Sequence, residues 1–447
     1  MWHFLYNVVL LIAAPFIFVI LLAKQRCRRG ISHRFGLLPA AFRPDHRPIV
    51  WIHAVSLGEA VAVAPLVKEL HRRHPDHRFV VSTVTETGRE AVEQRLSGVA
   101  EHVYAPLDFP WVVSRLITQL RPVLYLFVET ELWPNLLRDL HRRDVPTVMV
   151  NGRLSTRSFA RQQWGPVRSF YRAMLQQLTL CLMQSDRDVE RIVALGADAR
   201  NVRRTGNIKF DQPMLVSINP DAIRAGLGLH EREQVLVAGS THPGEEEALI
   251  DCYRNLISHQ SDVVLVLAPR HIERAIQVEA MVRVRGLPVQ RRSTIQPRPS
   301  ASPAGPRVII LDSRGELAAL YSQAVVAYVG GTLVPVGGHN LLEPAIWAKP
   351  VLFGPFTDHC AEIASLLIES GGGRRVTDAA DLAQQVLYLL IHEHARLSMG
   401  QSARKAVEQN QGALSATVEA IDPLLGSRRA GSEAVRSDRP VPLMAGR

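Results

Sequence analysis

The sequence predicts two doubly wound α/β domains in tandem, preceded by an apolar N-terminal helix. Three observations predict it. Short apolar runs alternate with longer amphipathic stretches from residue 48 onward. The alternation lapses once, after Gly206, and then resumes. Glycines, carboxylates and basic residues collect just past the ends of the apolar runs, where open parallel sheets bind ligands. With 447 residues and 47% apolar side chains, the chain can bury a core in each of two or three domains.

The first element is the apolar one. From Val8 to Ala23 there is no charge and a single proline, and with residues 4–6 the stretch is about long enough to cross a bilayer. Lys24, Arg26, Arg28, Arg29 and Arg34 follow it, and no Lys or Arg precedes it. The positive-inside rule therefore assigns the downstream chain to the cytoplasm. A cleaved signal peptide has its charges on the other side of the apolar region and a small-residue cleavage site, which is absent before Gln25. Residues 1–24 are expected to form a membrane anchor that spans the bilayer or lies in its cytoplasmic interface.

In the first domain, residues 25–210, the runs 49–54, 79–84, 123–128 and 147–150 read as buried parallel strands. Helix-like stretches around 58–73, 86–97, 110–120 and 132–142 lie between them. A weaker strand, 178–183, follows a helical segment near 157–177. Residues 211–220 read as a linker. The second domain, 221–426, resumes with strands 235–238, 263–267, 308–311, Ala324–Val329 and Val351–Phe353. Two such Rossmann-like halves are expected to face each other across a cleft, with ligands at the C-terminal strand ends. Residues 291–307 are basic and rich in Pro and Ser and read as a mobile surface loop, and residues 427–447 read as a disordered tail.

Composition narrows the function classes. Four widely spaced cysteines fit a reducing compartment and exclude a disulfide framework or a structural zinc site. No Walker A, G-x-S-x-G or G-x-G-x-x-G element occurs, and the 17 histidines show no zinc-type spacing. The formal charge of +10 suits phosphorylated substrates or an anionic membrane face. It concentrates near the anchor, the 291–307 loop and the tail, without basic-aromatic motifs, which argues against a nucleic-acid partner.

The residues suited to chemistry sit at strand-to-helix junctions. Glu59, in Val55-Ser56-Leu57-Gly58-Glu59, is either a carboxylate complementing a helix dipole or a general base. Glu129 and Glu131 end an apolar strand in Glu129-Thr130-Glu131-Leu132-Trp133-Pro134-Asn135; buried together, they repel and raise one pKa. Lys209, in Gly206-Asn207-Ile208-Lys209-Phe210, is either a solvated linker lysine or a point charge for a phosphate or carboxylate. Arg270, in Ala268-Pro269-Arg270-His271, is either a capping arginine or a phosphate clamp. Gly239-Ser240-Thr241-His242 and Arg314-Gly315-Glu316-Leu317 are each placed to present N–H groups to an anion. The glycine-rich segment 330–344 ends in Asn340-Leu341-Leu342-Glu343-Pro344. Its glycine pairs let backbone approach an anionic ligand, and Asn340-x-x-Glu343 reads equally as a capping box or as a sugar-hydroxyl grip.

In order, His53-Ala54-Val55-Ser56-Leu57-Gly58-Glu59 and residues 129–135, 206–210, 239–242, 268–271 and 330–344 resemble the motifs of the 3-deoxy-D-manno-octulosonic acid (Kdo) transferases. They run from the anchor to about residue 425. Leu57 and Thr332 depart from the usual valine and serine. The resemblance implies a GT-B fold with the active site between the two domains, and transfer of Kdo from CMP-Kdo to a lipid A precursor at the cytoplasmic face of the inner membrane. It implies an inverting mechanism without metal or other cofactor. Glu59 is then the base, with Lys209 and one of Glu129 and Glu131 stabilising the transition state. Pro269, Arg270, Gly315, Glu316, Leu317, Asn340, Leu341, Leu342 and Glu343 line the CMP site, Glu343 on the ribose. The enzyme alternatives are other GT-B nucleotide-sugar enzymes, such as a UDP-N-acetylglucosamine epimerase or a lipid-linked glycosyltransferase.

Overall fold

The computed structural model describes residues 2–23, 30–39, 42, 46–211, 219–296 and 305–437. Residues 212–218 of the expected linker, 297–304 of the expected loop and 438–447 of the expected tail fall outside these. The chain divides into two compact units, Met1–Gln212 with Gln411–Arg447, and Pro213–Asn410.

Each unit is built on one seven-stranded parallel sheet. The first contains β1 (Ile49–His53), β2 (Arg78–Thr83), β3 (Ala100–Tyr104), β4 (Pro122–Val128), β5 (Thr147–Gly152), β6 (Leu180–Met183) and β7 (Val202–Arg204), in the order β3-β2-β1-β4-β5-β6-β7. The second contains β8 (Gln234–Thr241), β9 (Val263–Pro269), β10 (Val289–Arg291), β11 (Arg307–Ile310), β12 (Ala324–Val329), β13 (Val351–Phe353) and β14 (Gly373–Arg375), in the order β10-β11-β9-β8-β12-β13-β14. The central strands are buried on both faces, which is why they read as unbroken Val/Ile/Leu runs. The short edge strands β3, β7, β10 and β14 were not legible, because they mix charged and small residues with too few apolar ones.

Strand order reverses at two places, between β1 and β4 and between β8 and β12. Loops leaving adjacent strands there diverge to opposite faces and leave a crevice at the carboxyl ends. The predicted helix near 157–177 is two helices, Thr156–Gln162 and Gly165–Leu175. Pro166 starts the second and bars a continuous one.

The C-terminal boundary differs from the expectation. Residues 411–426, assigned to the second domain, belong to the first. The helix Ala413–Ser437 buries Val418, Ile421 and Leu425 in the first core with Val63 and Val67 of the helix Leu57–Arg73. Asp422 accepts from Arg73 at 2.7 Å and pairs with His74 at 2.9 Å. Asp211 fixes the start of that helix, accepting from Gly412 N and Leu414 N, both at 2.6 Å. Local periodicity cannot reveal a partner some 350 residues away. Residues 427–437 of the expected tail continue this helix.

The apolar N-terminal segment forms one helix, Trp2–Ala23. Among the described residues no helix is long and apolar enough to cross a membrane, so a spanning anchor is without support. Its first two turns dock on the first unit instead. Trp2 and Tyr6 lie 6.2 Å and 6.0 Å from the Phe170 ring. Phe4, Val9, Ile12, Phe16 and Val19 stay exposed. Cys181, Cys252 and Cys360 are free and buried, as expected for cysteines that serve packing.

Candidate active site

In the first unit the candidate residues gather at the β1/β4 reversal. Ser56 caps the helix Leu57–Arg73, and Glu59 occupies its first turn. The Glu59 carboxylate accepts from Val55 N at 2.7 Å through Oε2 and from the Ser56 hydroxyl at 3.0 Å through Oε1. The capping reading of Glu59 is therefore correct as geometry. Burial nevertheless pushes its carboxyl up to about 7; the Val55 N–H opposes the rise, and the charges of Glu129 and Glu131 add to it. A carboxylate poised there is half ionised near neutrality and competent to take a proton.

Glu129 follows β4 with φ 58°, in the left-handed region that a non-glycine residue avoids without compensation. Its Oε1 lies 3.4 Å from Lys209 Nζ. Both side chains are about one-third exposed, 30% and 31%, so this ion pair contributes little to stability and leaves both heads open to a ligand. Glu131 turns toward Trp133, whose indole N–H donates to Oε2 at 3.4 Å. The structure thus joins Glu129, not Glu131, to the lysine.

Lys209 is held by residues the sequence did not single out. Asn207 caps the turn Ile208–Phe210, its side chain accepting from Lys209 N at 3.0 Å. Asn151, also left-handed at φ 55°, accepts from Ile208 N at 3.0 Å, and Gln184 bridges the Asn151 carbonyl to the Asn207 amide. Three buried amides from three successive strand ends fix one backbone turn. The only sequence signal was the position of Asn151 and Gln184 at the ends of apolar runs. His53, fully buried at the end of β1, meets the Ser82 hydroxyl at 2.9 Å and Trp133 edge-on at 5.3 Å; burial lowers its pKa to about 4, so it is neutral.

In the second unit the glycine-rich segment behaves differently from its expectation as an anion cradle. The anion is the protein's own. Glu245, fully buried, accepts from Gly331 N (2.7 Å), Thr332 N (3.0 Å), Leu333 N (2.9 Å), His242 N (3.0 Å) and the Tyr328 hydroxyl (2.7 Å). The N–H groups of 330–333 and of His242 are therefore spent internally. Gly330 is required because a Cβ there would collide with the Ser240 carbonyl and Thr241 of β8. Asn340 closes its turn by accepting from Leu342 N at 3.1 Å and donating to Glu343 at 3.1 Å. This is a local turn and not the capping box: the helix Leu342–Ile346 begins after Leu341 with no side-chain cap, and burial raises the Glu343 pKa.

Pro269 ends β9, and Arg270 N donates to the Thr241 carbonyl at 2.9 Å while its side chain is exposed. Gly315 (φ 85°) sets the turn into Leu317–Leu320, and Glu316 pairs with Arg292 at 3.4 Å and accepts from Ser313 at 2.5 Å. Four histidines that no spacing rule connects come after the ends of adjacent strands: His271 after β9, His242 after β8, His339 after β12 and His359 after β13. The His242 and His339 rings stack at 5.1 Å with 2° between planes and Nε2···Nε2 2.8 Å, so a single proton lies between them. Burial lowers both, His339 to about 4, and Arg270 acts in the same direction. The pair is a neutral hydrogen-bonding group beside the cation Arg270.

A family model described as 3-deoxy-D-manno-octulosonic-acid transferase (kdotransferase) matches residues 29–212. The 3-deoxy-D-manno-octulosonic acid transferase of Haemophilus influenzae is 33% identical over 434 residues, covering 95% of this chain and 99% of that protein. The enzyme of the same description from Bordetella pertussis is 33% identical over 407 residues, covering 88% and 91%. Among solved structures, a glycosyltransferase from Rickettsia africae aligns with TM-score 0.53 at 12% identity over 86% of this chain and all of that one. A UDP-GlcNAc 2-epimerase from Neisseria meningitidis aligns with TM-score 0.53 at 13% identity over 85% and 99%. These two share the fold.

Proposed function

The chain belongs to the 3-deoxy-D-manno-octulosonic acid (Kdo) transferase family, and from that membership we infer that it is a glycosyltransferase moving Kdo from a nucleotide-sugar donor to a lipid acceptor in lipopolysaccharide biosynthesis. The donor is CMP-Kdo and the acceptor a lipid A precursor. An epimerase reading has only low-identity likeness of fold behind it.

The observation that carries the mechanism is Glu59, a carboxyl raised to about 7 beside Glu129 and Lys209. Glu59 takes the proton of the acceptor hydroxyl as that oxygen forms a bond to the anomeric carbon. The bond from that carbon to the CMP phosphate breaks, and CMP leaves with the electron pair. One displacement inverts the centre and needs no covalent intermediate. Charge develops at the sugar ring and the departing phosphate, where fixed charges are worth most. Lys209, steadied by Glu129, serves the transition state, and Glu131 has the lesser part. Arg270 holds the CMP phosphate, and Pro269, Gly315, Glu316, Leu317 and Asn340 through Glu343 form the rest of the nucleotide site, Glu343 on the ribose.

The N-terminal helix supports a membrane location at the cytoplasmic face of the inner membrane. With residues 2–7 docked on protein, the 16 residues from Val8 to Ala23 give roughly 24 Å of helix, short of the roughly 30 Å of a hydrocarbon core. Lying in the interface uses its exposed Phe and Ile side chains without that length. The test of function is one assay: membranes, CMP-Kdo and a tetraacyl lipid A precursor, with products resolved by mass. A Kdo-bearing lipid is expected; an unmodified lipid with consumed enzyme controls active rejects the reading. Arg270→Ala is expected to weaken CMP binding about 10- to 100-fold, the loss of one charge-assisted hydrogen bond. Calorimetry checks it, and unchanged affinity rejects the phosphate role.

A further inference from the structure

Tyr6 and Asn7 have no part in the chemistry above, yet with His3 they are the polar side chains in a mainly apolar helix. A lipid-facing helix gains nothing from an amide, whose burial without a partner is costly. Both side chains are committed to the first unit. Asn7 Nδ2 donates to Asn135 Oδ1 at 3.1 Å, and Asn135 Nδ2 donates back to Asn7 Oδ1 at 2.7 Å. The Tyr6 hydroxyl donates to Asp108 Oδ2 at 3.0 Å.

Asp108 and Asn135 themselves hold one helix start. The helix Pro134–Arg142 is preceded by Trp133, which has no side-chain acceptor to cap it. Its N–H groups at Asn135 and Leu136 instead donate to Asp108, at 3.0 Å and 2.9 Å. Asn135 Nδ2 also reaches the Asp108 carbonyl at 2.6 Å. Orphan amides at a helix start need such an acceptor. Here it comes from a separate loop and is braced by the N-terminal helix. Directly upstream of Pro134 lies the loop that carries Glu129 and Glu131.

We propose that Tyr6 and Asn7 are positioning residues: the docked N-terminal helix clamps Asp108 and Asn135, and through the start of the helix Pro134–Arg142 fixes the loop that presents Glu129 to Lys209. The catalytic consequence rests on the functional reading of Glu129 given above. The first two turns of the N-terminal helix then belong to the transferase domain and not to the lipid phase.

The full-length protein with Asn7→Leu tests this, because leucine keeps the helix apolar and preserves any purely lipid-facing role. Tyr6→Phe is the milder second variant. Amide hydrogen exchange over residues 129–137 should accelerate at least about tenfold in Asn7→Leu and less in Tyr6→Phe. Kdo transfer should lose about tenfold or more in kcat, with KM for CMP-Kdo and flotation with anionic vesicles unchanged. Unchanged exchange over 129–137 overturns the clamp. Faster exchange with kcat within twofold of the parent overturns its role in positioning. Parent protein inactive on CMP-Kdo counts against the functional reading alone, since the exchange result still decides the clamp.

Discussion

Glu59→Gln is expected to lower kcat for Kdo transfer by about 100- to 10,000-fold, the span that a positioned general base supplies. Glutamine keeps an oxygen for the Val55 N–H, and its amide N–H can donate to the Ser56 hydroxyl in place of accepting from it. The capping geometry and the melting temperature should therefore change little, as should CMP affinity, since the residues proposed to hold the nucleotide lie in the other unit. The pH profile gives an independent check. Burial favours the neutral acid and lifts the carboxyl to about 7, and only the ionised form accepts a proton. The parent's kcat/KM should rise tenfold per unit below that value and level off above it. The variant's residual activity should lack this limb. Transfer by Glu59→Gln within tenfold of the parent, with the limb intact, would assign the base elsewhere.

Glu245→Ala should be the most destabilising single change in the second unit. One carboxylate there satisfies four backbone N–H groups and a tyrosine hydroxyl inside a fully buried pocket. Each buried donor left without a partner costs about 1–3 kcal/mol, so a loss on the order of 4 kcal/mol or more is expected. Tyr328→Phe removes one donor and leaves the carboxylate, and should cost about 1 kcal/mol. Denaturant unfolding followed by a probe in the second unit measures both. A loss below about 1 kcal/mol in Glu245→Ala would mean that the 330–333 turn holds its shape without the carboxylate.

These two glutamates show what local pattern reveals and what it hides. Glu59 was legible because everything that places it is local: a buried strand, Ser56 as cap, and a helix beginning at Leu57. The central strands were legible for the same reason. Glu245 stands in a run of three acidic residues, Glu245-Glu246-Glu247, whose ordinary reading is a charged first helical turn. Its partners lie about 86 residues downstream, so the glycine-rich turn looked like an empty anion cradle. The His242–His339 pair, the Asn151–Gln184–Asn207 network and the Asp108 cap share this cause: each joins segments that meet only once the sheet is assembled. Tyr6 was counted in the apolar run and Asn7 passed over, because their partners Asp108 and Asn135 lie more than 100 residues downstream.

The returning C-terminal helix bears on how the protein is made. The second unit is one continuous stretch, Pro213–Asn410, inserted into a host whose own chain is interrupted. On the ribosome the host begins first and finishes last. Its core lacks Val418, Ile421 and Leu425 until nearly the whole chain has been synthesised. The inserted unit can close as soon as residue 410 emerges, because domains fold as units during synthesis. A stop codon near residue 411 would therefore spare the second unit and damage the first, the reverse of what position along the chain suggests.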